Sequence, residues 1–217
     1  MIDLSQQEPF AAGYNRFCYI HPEDPRRCLK ILNPENIERR FARQRWYKKM
    51  LGKSRINDNL QEQIAYDQPA VIHGGEKVWS HLPRFYGQAP TTRGPANSSE
   101  LITNSNGAPG ITLESYLKRH GVNGCIRTAI DDFCRWLRET GILTRNLLPH
   151  NLVVVTREDH LKLYLVDGLG APGIPARLAA LPAYRQRYIE RKIRRFWKRV
   201  EWEANGRQGA WEAAEKI

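Results

Sequence analysis

Residues 141–170 read GILTRNLLPHNLVVVTREDHLKLYLVDGLG. A Pro-containing turn leads to Asn151, and the apolar run Leu152 to Val155 follows. A charged turn separates it from a second apolar run, Leu161 to Val166, which ends on Asp167-Gly168. Two short apolar runs split by a polar turn predict a β-hairpin. The open end of that hairpin presents an amide where one strand starts and a carboxylate where the other ends. Two oxygen ligands converging from paired strands suit a hard cation such as Mg²⁺ that also holds phosphate.

Upstream, residues 2–32 read as an antiparallel sheet. Its expected strands are Ile2 to Ala12, Arg16 to His21 and Arg26 to Leu32, with turns at Gly13-Tyr14-Asn15 and Pro22 to Pro25. In the third strand a period of two puts Cys28, Lys30 and Leu32 on one face. A lysine in the middle of an apolar face loses charge stability unless an anion pairs with it. Pro34 to Leu51 predicts a basic helix with Ile37, Phe41 and Trp46 as apolar points, ending at Gly52-Lys53-Ser54. Asp58 to Tyr66 predicts a second helix, with Asp58 as N-cap and Leu60 and Ile64 as apolar neighbours.

Together these residues resemble the protein-kinase-like fold, in which a strand lysine, a loop asparagine and a metal-binding aspartate follow in that order. On that resemblance Lys30 takes the lysine that meets nucleotide phosphates, Asn151 the loop asparagine and Asp167 the metal aspartate. Pro149 matches the proline common two residues before that asparagine. Glu62 takes the helix glutamate that pairs with the lysine, and Glu38 competes for that role. Gly13 stands where the Gly-rich loop would be, but it is a single glycine, so Arg16 is the candidate phosphate donor in place of backbone amides. The catalytic aspartate falls at Asn146 and the phenylalanine of D-F-G at Gly168. The chain resembles more closely the YrbL family of bacterial "PhoP regulatory network" proteins, from Gly13 to about Lys198.

The resemblance implies an α+β, protein-kinase-like domain over 1–217. It has a small antiparallel β N-lobe with a helix, including the hinge, over 1–104. A reduced, mostly helical C-lobe covers 105–205 and a tail 206–217. It implies ATP and Mg²⁺ as ligands and a small-molecule or protein phosphate acceptor. An asparagine cannot accept a proton at neutral pH, and a positioned base contributes typically about 10² to 10⁴ in rate. Weak phosphotransfer is therefore open and fast turnover is disfavoured. The alternative is a non-catalytic, pseudokinase-type module acting through its basic surfaces. Asp131, Asp132 and Asp159 sit in helix or turn contexts and are poor substitutes for the base.

The remaining segments fit around that frame. Val78 to Gly87 reads as a buried turn and strand, 89–99 as a loop rich in Pro, Gly, Ser and Thr, and Glu100 to Asn104 as a short strand serving as hinge. His73 and His81 read as surface or core histidines rather than ligands. Thr112 caps a short helix closed by Gly121, and Ile126 to Thr140 is a long amphipathic helix stopped by Gly141. Residues 171–182 lack the length of an activation loop and any A-P-E, which argues against a kinase that docks polypeptides. Tyr184 to Trp202 is a basic closing helix with an apolar stripe.

Composition narrows the partners. The net charge of +11 is concentrated in 35–55 and 184–203, each with eight Lys or Arg against two and three Glu, respectively. Two such segments favour an anionic partner, a membrane surface or nucleic acid among them. No run of 18 apolar residues is present, so no membrane span is expected. No secretory leader is recognisable at the start. Cys18, Cys28, Cys125 and Cys134 show no C-x-x-C spacing and read as free buried thiols of a cytoplasmic protein.

Overall fold

Lys30 lies in an inner strand of a five-stranded antiparallel sheet. A computed structural model describes residues 1–50, 52, 56–158, 160–171 and 173–208, without the side chains of Tyr47, Lys48 and Ala176. Lys53, Ser54, Arg55, Asp159 and most of the expected tail, 209–217, lie outside the described residues. The chain divides into two compact units, Met1–Tyr66 with Arg84–Leu101 and Asp67–Pro83 with Ile102–Ile217. Residues 67–83, assigned from the sequence to the first lobe, therefore group with the second unit.

The first unit contains β1 (Ala11–Ala12), β2 (Arg16–Ile20), β3 (Arg27–Leu32), α1 (Pro34–Ala42), α2 (Trp46–Lys49), α3 (Asp58–Tyr66), β4 (Phe85–Thr91) and β5 (Gly94–Glu100). The sheet order is β1-β2-β3-β5-β4. The period of two in β3 sends Leu29 and Ile31 into a core with Leu4, Tyr19 and Ala96. Cys28 and Lys30 alternate with them, and Cys18 and Asn97 face Lys30 from the two flanking strands.

Several local expectations are corrected here. The first strand is only Ala11–Ala12, because the chain turns early, with Ser5 N–H donating to Asp3 Oδ1 at 2.9 Å. Leu4 is nevertheless fully buried, and the Arg93 guanidinium holds its carbonyl at 2.9 Å. The long basic helix breaks into α1 and α2. Helices in proteins depend on a packed apolar face, yet α1 buries no residue and Trp46 is 75 % exposed. The N-cap of α3 is Asn57, whose Oδ1 accepts from Leu60 N–H at 3.0 Å, and not Asp58. Ile64 is exposed, so α3 docks through polar side chains instead of an apolar stripe.

Residues 89–99 are not a loop but most of the β4–β5 hairpin. Pro90 sits on the edge strand, and Pro95 precedes the first residue of β5 paired to β3, so neither costs the sheet a central hydrogen bond. Glu100 ends β5, and of the expected hinge strand only Thr103 forms a bridge, to Pro109.

The second unit holds α4 (Pro69–Ile72), a 3₁₀ turn at Gly75–Ser80, β6 (Ile111–Thr112), α5 (Leu113–His120), α6 (Gly124–Thr140), a second 3₁₀ turn at Pro149–Asn151, β7 (Leu152–Arg157), β8 (His160–Leu165), α7 (Ala176–Ala180) and α8 (Pro182–Ala204). Thr112 Oγ1 caps α5, accepting from Ser115 N–H at 3.1 Å. Asn123 caps α6, and Gly141 closes it at φ 69°. Ile126, Ile130, Phe133 and Leu137 of α6 are fully buried, and Ile189, Ile193, Phe196 and Val200 form the buried stripe of α8. The four thiols are free; Cys28 and Cys134 are buried as expected, but Cys125 is exposed and Cys18 half-buried. Among the described residues no helix is long and apolar enough to cross a membrane.

Candidate functional site

In the first unit the buried face of α3 is polar: Asp58, Asn59 and Glu62 lie inside with Ala65 and Tyr66. Such a face needs partners, since burying an unpaired charge is costly. Glu62 Oε1 is 2.5 Å from Lys30 Nζ, and Oε2 is 2.7 Å from Arg16 Nη1. All three side chains are at most 7 % exposed. Glu38 is exposed on α1. Asn97, which no sequence signal singled out, organises the surroundings. Its Nδ2 donates to Asn59 O at 2.9 Å and to Glu62 Oε2 at 3.0 Å. Its Oδ1 accepts from Gln63 at 2.7 Å. Asn59 in turn donates to the Lys30 carbonyl at 2.9 Å. Arg40 holds the start of α3 through Asp58 at 2.9 Å.

Gly13 closes the β1–β2 turn by donating to the Arg16 carbonyl at 2.9 Å. A Cβ there would meet that oxygen at 3.6 Å, ordinary contact, so the turn itself does not require glycine. The Arg16 guanidinium is directed at Glu62 and Asn59. Beside Lys30, the Cys28 thiol is pushed well up by its hydrogen bond with Cys18 and by burial.

In the second unit the hairpin register sets Leu152 opposite Leu165. Asn151 therefore enters one strand where Asp167 leaves the other, and the Asn151 carbonyl accepts from Val166 N–H at 3.0 Å and Asp167 N–H at 3.3 Å. Asn151 Nδ2 donates to the Asn146 carbonyl at 2.8 Å. That fixes its carboxamide orientation and leaves Oδ1 as the group it can present. Asp167 Oδ1 accepts from Gly168 N–H at 2.6 Å. The Gly168 carbonyl accepts from Arg145 N–H at 2.7 Å and from Asn146 N–H at 3.2 Å. Asn146 itself is exposed.

Two side chains of α8 complete this loop and were not found from the sequence, where they read only as members of a basic amphipathic helix. Tyr188 Oη donates to the Thr144 carbonyl at 2.9 Å, and Lys192 donates to the next carbonyl, Arg145. Burial and the neighbouring Arg195 and Arg191 lower the Lys192 ammonium to about 8.

Among the described residues no group of three His, Cys, Asp or Glu could hold a metal unaided. Asn151 and Asp167 are two hard oxygen donors, a set that suits Mg²⁺ only when phosphate oxygens and water supply the rest of its octahedron.

Comparison with known proteins places this geometry. The profile of the family described as PhoP regulatory network protein YrbL matches residues 2–203. The uncharacterized protein YrbL of Escherichia coli (strain K12) is 28 % identical over 205 residues, covering 92 % of this chain and 86 % of the relative; its Shigella flexneri counterpart matches equally. The PknI kinase domain of Mycobacterium tuberculosis is similar with a TM-score of 0.47 and 14 % identity, over 91 % of this chain and 73 % of that one. The architecture described above is α+β, with the strand lysine, helix glutamate and hairpin asparagine and aspartate of a kinase-like plan.

Proposed function

The chain belongs to the YrbL family, and on that premise we propose that it binds ATP with Mg²⁺ and performs at most slow phosphotransfer. The observation that carries the reading is the buried Lys30–Glu62 ion pair. A buried pair of this kind is poor value as a stabilising device, because apolar residues of the same volume do as well or better. Its use is chemical: an oriented ammonium for phosphate. Lys30 would meet the phosphates, while Asn151 Oδ1 and the Asp167 carboxylate would hold the metal. When bound, Mg²⁺ supplies neutralisation of phosphate charge. Asn146 can hold an acceptor hydroxyl by hydrogen bonding but cannot take its proton.

Equilibrium dialysis against labelled ATP tests the reading. Mg²⁺-dependent binding that Lys30→Met weakens by roughly tenfold or more supports it. Absence of binding, or binding indifferent to Lys30, retires it. Asn146→Asp then separates a crippled transferase, which gains turnover, from a site that only senses nucleotide.

A second reading, a binding module for an anionic partner, is favoured by the exposed row Arg187, Arg191, Arg194, Arg195 and Lys198 on α8. Charge reversal at Arg194, Arg195 and Lys198 should weaken polyanion binding and flatten its salt dependence. Binding that ignores salt argues against it.

A further inference from the structure

A cleft of about 310 Å³ lies within the second unit, away from the Asn151–Asp167 hairpin end. One side of α6, the start of β8 and the Gly75–Ser80 turn form its walls. Most of its charges cancel in place. Lys77 is 2.6 Å from Glu139, and Arg135 is 2.6 Å from Asp132. Lys162 is different. Its ammonium lies over the Tyr164 ring, 5.5 Å from the centroid, and no carboxylate pairs with it among the described residues.

The buried side of the cleft carries an acceptor. His81 is packed among Phe133, Trp136 and Tyr164, and its Nδ1 is 2.7 Å from the Leu163 carbonyl. A carbonyl can only accept, so Nδ1 carries the proton. Burial lowers the imidazole to about 4, which keeps the ring neutral and makes Nε2 a bare acceptor. Nothing among the described residues donates to Nε2. Nearby, Ser80 Oγ and Trp136 Nε1 both donate to the Lys77 carbonyl, at 2.8 and 2.9 Å. Their protons are thereby committed, and the serine keeps its lone pairs.

The cleft thus offers a cation without a counter-ion and acceptors without donors. We propose that it binds a small organic anion bearing a hydroxyl group, with the anion on Lys162 and the hydroxyl donating to His81 Nε2 or Ser80. Its volume is at the low end of small-molecule sites, which suits a molecule of a few carbons and not a nucleotide. The proposal is independent of the ATP reading, because it uses no residue of that site.

The test is an NMR titration of the full chain, following the indole N–H of Trp136, assigned with Trp136→Phe. The probes are glycerate and glycerol 3-phosphate, with glycerol and propionate as the neutral and hydroxyl-free controls. At least one hydroxylated anion should give a saturable shift that neither control reproduces, and Lys162→Gln should weaken it by roughly tenfold or more. A response to glycerate alone identifies a carboxylate ligand, and one to glycerol 3-phosphate alone a phosphate. No saturable shift at millimolar probe overturns the proposal. So does an equal response to glycerol or propionate, or unchanged affinity in Lys162→Gln.

Discussion

Glu62 Oε1 stands 2.5 Å from Lys30 Nζ, although 32 residues and a change from strand to helix separate them in the chain. The second carboxylate oxygen is engaged by Arg16, so one helix glutamate ties β2 and β3 together through their side chains. This use of both oxygens fixes α3 on the sheet more firmly than a single ion pair would.

Glu62→Gln is therefore expected to be severe. It removes the carboxylate shared by two buried cations and should cost about 3–5 kcal/mol. Glu38→Gln, at an exposed position, should stay within about 0.5 kcal/mol. Urea unfolding of the two variants checks this, and equal small losses would contradict the assignment of Glu62.

The glycine after Asp167 carries a second prediction. Gly168 has φ 79°, and a Cβ there would lie 2.4 Å from the Asn146 carbonyl oxygen and 2.8 Å from Asn151 Nδ2. The left-handed conformation alone penalises a side chain by about 1–2 kcal/mol. Gly168→Ala should lose at least that much, and the Arg145 and Asn146 amides, which bond to Gly168, should exchange faster with deuterium. Wild-type protection in the variant would mean that the loop does not depend on this close approach.

Acid should expose the His81 environment. Its folded value of about 4 lies below the ordinary 6.5, chiefly through burial, with Lys162 lowering it and Asp132 raising it. A depressed folded value means that the unfolded chain binds the proton first. The contribution is complete above about pH 6.5 and is lost as pH falls toward 4, by about 3 kcal/mol in all. His81→Phe should flatten that part of the stability profile, measured by urea unfolding between those limits. An unchanged slope would show that His81 is not the group responsible.

The hairpin and its two ligand candidates were legible because apolar alternation and the residues at the strand ends are local signals. Lys30 was legible for a related reason, since a charge in the middle of an apolar run stands out. Asn97 was not, because its meaning arises only when α3 is laid across β5. The β4–β5 hairpin was missed because Gly, Pro, Ser and Asn read as loop unless one knows that small side chains are wanted under a helix. Tyr188 and Lys192 were seen only as parts of an amphipathic pattern, which gives periodicity but not the carbonyls that side chains reach. The break between α1 and α2 has no Gly or Pro to announce it and follows from missing packing.

The central claim is a nucleotide site that needs both metal and Asp167. A ligand that binds only the folded state must raise the unfolding midpoint. The most direct measurement is a thermal-shift titration with ATP, with and without Mg²⁺, on the wild type and Asp167→Ala. The account predicts a rise that requires Mg²⁺ and disappears in Asp167→Ala, whose own midpoint without nucleotide stays near that of the wild type. No rise at millimolar ATP, or an equal rise in the variant, would contradict it.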